Sequence, residues 1–114
     1  MSSARGAAKK DERLDAVFQA LADGTRRRIV DRLSRGPVSV SELAEPFSIS
    51  LAAVSKHLDV LERAGILRRR REGRFQHCHL TPGSLGDASA FIDRYRTFWD
   101  DTLEGLALYV EEGT

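Results

Sequence analysis

The side chains able to do chemistry in this chain gather between Ser39 and Arg74, and they suit gripping an anion better than breaking a bond. Ser50, Leu51, Ala52, Ser55 and Lys56 stand at the start of one helical pattern. Serine hydroxyls bond phosphates or base edges, the lysine reaches guanine or phosphate, and Leu51 or Ala52 can meet a thymine methyl. Arg68, Arg69, Arg70, Arg71 and Arg74 then surround the dipeptide Glu72-Gly73. In a strand Arg69 and Arg71 share one face, and Arg68 and Arg70 the other, so only one pair can address a duplex on one side. Arg69, Arg71 and Arg74 are taken as the DNA set, although the sequence leaves the choice of face open. Ser39 and Ser48 are further phosphate candidates. Arg63 lies on the helical stripe Ala52, Lys56, Asp59, Arg63, and His57 serves equally well as a helix seat or a phosphate contact.

Other chemistries fare worse. His77-Cys78-His79 has ligand-type residues, but a strand turns the two histidines to one face and Cys78 to the other, so one ion cannot take all three without distortion. Neither metal nor cofactor is expected. A redox or metal switch through Cys78, His77 and His79 is kept as an alternative, with Cys78 otherwise a small core residue. No Ser/His/Asp set, phosphate-cradling glycine loop or catalytic carboxylate pair emerges, so no catalytic residues are assigned.

The elements that must hold these residues are legible in the spacing. Leu14, Val17, Phe18 and Leu21 make an amphipathic helix over Asp11 to Ala22. Asp23-Gly24-Thr25 interrupts it, and a second helix carries Ile29, Val30 and Leu33 to its stop at Gly36-Pro37. Ser39-Val40-Ser41-Glu42 is a capping box with Val38 and Leu43 at the staple positions. After a turn at 48–50, Ser50 caps a recognition helix over about 51–64, with Val54, Leu58 and Leu61 inward and Gly65 as its stop. A hairpin at about 67–80 turning at Glu72-Gly73 forms a wing. A long helix over about 85–110 follows, with Ala88, Phe91, Ile92, Tyr95, Phe98, Trp99, Leu103, Leu106 and Val110 at spacings of three and four. The expected fold is mainly α with a small β-hairpin, a winged helix-turn-helix. It forms a single domain at 11–110 between a flexible basic tail at 1–10 and a short tail at 111–114.

The 114 residues suffice for one core. A net charge of +1 conceals an asymmetry: sixteen basic against ten acidic side chains up to Leu80, two against seven after it. The basic body suggests a polyanion partner for that part alone. One cysteine gives no disulfide framework. No signal-peptide pattern or membrane-length apolar run is evident, so a cytoplasmic, nucleoid-associated protein is expected.

At these residues the sequence resembles the ArsR/SmtB family of bacterial winged-helix repressors. The resemblance is carried by Leu21-Ala22-Asp23-Gly24-Thr25-Arg26-Arg27-Arg28-Ile29, Ser41-Glu42-Leu43-Ala44, Val54-Ser55-Lys56-His57-Leu58-Asp59-Val60-Leu61, Ala64-Gly65-Ile66-Leu67 and Arg71-Glu72-Gly73-Arg74. It implies a homodimer that represses from an operator near its own promoter. Phe98 to Leu106 resembles the last helix of a non-metal-sensing branch. The chain departs from the family with Gly24 in place of proline and Leu51 in place of a polar residue, so no base contact carries over to Leu51. It also lacks the Cys-x-Cys pair of metal-responsive members in its 41–46 helix.

The last helix is too long for so small a domain to cover alone. A homodimer interface is therefore expected from Leu14, Val17, Phe18 and Leu21 with Phe91, Ile92, Tyr95, Phe98, Trp99, Leu103 and Leu106. A two-fold dimer would set its recognition helices about 34 Å apart, on a pseudo-palindromic site in double-stranded DNA. The competing possibility is a winged-helix module for protein contacts, its arginines merely solubilising. The sequence names no effector.

Overall fold

The computed structural model describes residues 2–112, apart from the side chains of 2–5, 7, 84, 99 and 107–112. Among the described residues six helices and three short strands follow one another. Helix α1 spans Ser2–Leu21 and α2 spans Gly24–Leu33. The residues at 2–10, expected as a flexible tail, are thus the first turns of α1. Their alanine- and lysine-rich composition favours helix, and no proline interrupts it. Asp23 caps α2, its carboxylate accepting the Arg26 backbone N–H at 3.1 Å. That bond, with the Arg26 charge, holds the Asp23 carboxyl below its ordinary range.

Val38–Ser39 forms β1, a strand the periodicity did not announce, followed directly by α3 at Val40–Ala44. Ser39 caps α3 by accepting the Glu42 N–H at 3.2 Å, while the staple residues Val38 and Leu43 are both buried. Helix α4 spans Leu51–Arg63. It ends in a Schellman motif: the Ile66 N–H donates to the Leu61 carbonyl and the Gly65 N–H to the Glu62 carbonyl, both at 2.9 Å. Gly65 sits at φ +78°, a conformation costly for any side-chain-bearing residue.

Strands β2 (Leu67–Glu72) and β3 (Phe75–Leu80) pair antiparallel from Leu67↔Leu80 to Glu72↔Phe75. The two-residue loop is therefore Gly73-Arg74, one position later than the expected Glu72-Gly73. Gly73 alone takes a positive φ, +60°, as a loop with glycine first requires. The sheet order is β1-β3-β2, with Val38 opposite Cys78 and Ser39 opposite His77.

The single helix expected over 85–110 is two: α5 at Pro82–Asp93 and α6 at Arg96–Glu112. Between them the Tyr95 N–H bonds the Ile92 carbonyl at 3.0 Å, a tightened last turn, and no proline or glycine marks the break. Helix α6 also takes in residues 111 and 112 of the expected terminal tail, and Gly113-Thr114 lie outside the described residues.

The core gathers Ile29, Leu43, Val54, Leu58, Leu61, Ile66 and Leu67 from α2, α3, α4, β2 and the turn between the last two, each essentially sealed from solvent. Burying such side chains stabilises the fold by about 1.5–3 kcal/mol apiece. Leu14 and Val17 belong to this same core, at 9% and 2% exposure. Their expected place in a dimer interface is corrected: α1 turns that part of its stripe onto its own chain.

Candidate nucleic-acid interface

Helix α4 is fixed from behind by Val54, Leu58 and Leu61, which leaves its opposite face to solvent. Ser48, Ile49, Ser50, Leu51, Ala52, Lys56 and Arg63 are exposed along it, and Ser55 is half-buried. The Ser50 hydroxyl accepts the Ala53 N–H at 3.1 Å. Capping uses only a lone pair, so the Ser50 O–H can still donate to a phosphate.

Two of the expected contact residues have other tasks. Ser39 is only 5% exposed, with its oxygen capping α3 and its backbone in the sheet opposite His77, so it cannot reach a duplex. Arg69 points at α4 rather than outward. Its guanidinium meets the Asp59 carboxylate and, at 3.1 Å, that of Glu62, while its own backbone N–H donates to Glu62 at 2.9 Å. Burial opposes the charge on Glu62, but the Arg69 bonds outweigh it and hold that carboxyl below its ordinary value. The same pairing raises Arg69 against the opposing effect of burial. With Arg69 turned inward, Arg68 and Arg70 occupy the other face, and Arg71 and Arg74 stand exposed towards the hairpin tip. Phe75, 57% exposed beside Arg74, completes that tip. Its only sequence signal was a large apolar residue after the turn, and that reading missed it.

His57 is half-buried, with Nδ1 3.3 Å from Arg26 Nη1, which favours its reading as a seat for the helix. Arg26 is a second residue whose role the sequence did not show. Its Nε donates to the Ala20 carbonyl at 2.6 Å and its Nη2 to the Gln19 carbonyl at 3.1 Å, and Arg27 donates to the Leu21 carbonyl at 2.8 Å. The last carbonyls of α1, which have no partners further along their own helix, are thereby met by cations at the negative end of the helix dipole. Through Arg26, one side chain joins α1, the cap of α2 and the recognition helix.

The alternative chemistry at 77–79 meets the geometry of the strand. Cys78 is buried opposite Val38 and Arg69, whereas His79 is exposed and His77 stands 4.0 Å from Glu72. Burial pushes the Cys78 thiol up to about 11, which keeps it protonated and unreactive near neutral pH. A switch through Cys78 therefore lacks both access and thiolate. Among the described residues, no group of three or more His, Cys, Asp or Glu is placed to hold a metal ion.

The expected interface aromatics behave as a set. Phe91 and Ile92 on α5, Tyr95 in the turn after it, and Phe98, Leu103 and Leu106 on α6 are all exposed. Phe18 of α1, 38% exposed, meets Phe91 edge-on at 5.7 Å between ring centroids, and Phe91 meets Tyr95 at 5.4 Å. Leu21 is partly covered by its own core, and the Trp99 side chain lies outside those described. No helix among the described residues is long and apolar enough to cross a membrane.

A capped helix with a polar outer face, backed by a core and flanked by an arginine hairpin on a three-stranded sheet, defines a winged helix-turn-helix DNA-binding domain. Comparison with known proteins agrees. A family described as a helix-turn-helix domain matches residues 21–70. The chain is 42% identical over 97 residues to the HTH-type transcriptional regulator Rv2034 of Mycobacterium tuberculosis, covering 85% of this chain and 88% of that protein. Among solved structures it is similar to the ArsR family transcriptional regulator RHA00566, with a TM-score of 0.72 and 40% identity over 79% of this chain and 93% of that one. It is also similar to the homodimeric winged helix-turn-helix DNA-binding domain of Mb0332 from Mycobacterium bovis, a possible ArsR-family regulator. That match has a TM-score of 0.65 and 30% identity, covering 89% of this chain and 90% of that one. The chain belongs to the ArsR family of transcriptional regulators. Its function is DNA-binding control of transcription, not catalysis.

Proposed function

We propose that this regulator acts as a homodimer that occupies a pseudo-palindromic operator on the chromosome and represses transcription by blocking it. The observation that carries this reading is the exposed row Phe91, Ile92, Tyr95, Phe98, Leu103 and Leu106 on two consecutive helices and the turn between them. A soluble domain rarely leaves so continuous an apolar surface open, and a second copy offers the same surface in return. The homodimeric assembly of the Mb0332 domain supports the same arrangement. Each half-site would then receive Ser50, Leu51, Ala52, Ser55 and Lys56 in the major groove. Ser48 and Arg63 would meet phosphates at its edges, and Arg71 and Arg74 the adjacent backbone or minor groove. His57 supports this surface from beneath.

The test combines sedimentation with gel shifts on the DNA upstream of the protein's own gene. Expected results are a dimer, preference for a palindromic duplex over random sequence, and a log–log salt slope of about −0.9 per phosphate engaged. The double variant Lys56→Ala/Arg74→Ala should make that slope shallower by about 2 if both side chains meet phosphate. A monomer that binds DNA without sequence preference would overturn the proposal.

A further inference from the structure

We infer that Arg69 is a positioning residue that locks the wing to the recognition helix, so that the two read DNA as one rigid body. This rests on the proposed placement of α4 and the hairpin tip on DNA and adds the part that fixes the distance between them. Buried Ile66 and Leu67 root the hairpin in the core, and β1 pairs with β3 as far as Ser39↔His77, so the hairpin and β1 move together as one sheet. From there β2 runs outward for six residues, about 20 Å at the rise of an extended strand. A small rotation of that sheet against α4 would therefore carry Arg74 several ångströms.

Arg69 removes that freedom. One terminal nitrogen, Nη2, is held by two carboxylates one helical turn apart on α4, Asp59 and Glu62, and Glu62 also takes the Arg69 backbone N–H. One carboxylate thus fixes both the side chain and the main chain of the strand. The Arg69 side chain is 18% exposed, and buried Cys78 lies opposite it on β3. The guanidinium is thus sheltered, while the Asp59 and Glu62 carboxylates, 43% and 37% exposed, remain open to solvent on their outer side.

The arrangement also offsets half of the negative charge on a helix that must approach a polyanion. That suggests a rival role for Arg69, as a charge mask with no part in positioning. The two roles predict opposite outcomes when all three groups are made neutral. Asp59→Asn/Glu62→Gln/Arg69→Met removes the clamp yet makes the protein more positive by one charge, so masking alone predicts unchanged or tighter binding.

The experiment is hydroxyl-radical footprinting and salt titration on a duplex selected from a random pool by the wild-type protein. Wild type, Arg69→Met, Arg69→Lys and the triple variant are compared. Wild-type binding on this duplex establishes the underlying reading independently of the clamp. With the clamp gone, protection at the centre of each half-site should persist at higher protein concentration, while protection at the flanks is lost. Affinity should fall about tenfold, and the salt slope should shrink by about 2 as Arg71 and Arg74 disengage. Arg69→Lys, which keeps the charge on a shorter side chain that cannot place its nitrogen where Nη2 sits, should fall between wild type and Arg69→Met. If Arg69→Met does not fold, the triple variant carries the test, because it leaves no unpaired charge behind. Wild-type flank protection and salt slope in the triple variant would overturn the inference.

Discussion

Arg26 offers the sharpest test of how the domain is held together. Replacing it with methionine keeps most of the apolar stem and removes three side-chain hydrogen bonds. Its backbone N–H bond to Asp23 is available to any residue except proline. Of the three lost, the 2.6 Å bond to the carbonyl of buried Ala20 is short and charged, and contributes about 1.5–3 kcal/mol. The 3.3 Å contact with His57 adds about 1 kcal/mol, and the solvent-exposed bond to Gln19 adds little. Together they predict a loss of about 3 kcal/mol. With a urea dependence of about 1.5 kcal/mol per molar for a domain of this size, the unfolding midpoint should fall by about 2 M. Protein concentration must be held constant, because self-association contributes to the apparent stability. Arg27→Met is the internal control: it loses one exposed bond to Leu21 and should shift the midpoint by less than about 0.5 M. Indistinguishable midpoints for the two variants would refute the view that Arg26 ties α1 to α4.

Three further outcomes follow from named contacts. In the native protein, Cys78 should react with a thiol reagent at pH 8 far more slowly than in urea, because it is buried and its thiol is pushed up to about 11; equal rates would contradict its place in the core. Gly73→Ala should destabilise by about 1 kcal/mol by thermal unfolding, since φ is +60° and nothing within 4 Å would clash with the added carbon. Glu62 is held below its ordinary value of 4.5 in the folded state, so its contribution is complete above that pH and is lost as the pH falls through the depressed value. The stability gap between wild type and Glu62→Gln should accordingly narrow on acidification below about pH 4.5, and a gap that widens would refute the sign.

Much of the helix-turn-helix was legible because its boundaries are written in local chemistry. Ser39 with Glu42, Ser50 with Ala53, and Gly65 with Ile66 each settle a helix end within a few residues. What escaped was non-local. Alternation places Arg69 and Arg71 on one face but cannot say that this face looks back at Asp59 and Glu62. The stripe Leu14, Val17, Phe18, Leu21 announces a buried surface without saying which chain buries it, and the answer divides within a single turn: Val17 inward, Phe18 outward. Val38–Ser39 makes a strand only because Cys78 and His77 lie alongside, a pairing across forty positions that no local pattern carries. The break between α5 and α6 has no proline or glycine to signal it, and the exposed Phe75 had no partner in the periodicity.

The order β1-β3-β2 has a consequence for how copies of this chain avoid one another. β3 is paired on both sides, but β2 lies at the edge of the sheet, where an open row of peptide groups invites a strand from another molecule. Near its root that row is closed by the Glu62 carboxylate, which occupies the Arg69 N–H. On either side of it Arg68, Arg70 and Arg71 crowd like charges along the same border, so a second hairpin arriving edge to edge would set arginine against arginine. The side chains that attract a polyanion thus also keep the sheet from lengthening, and association is left to the apolar helices on another part of the molecule.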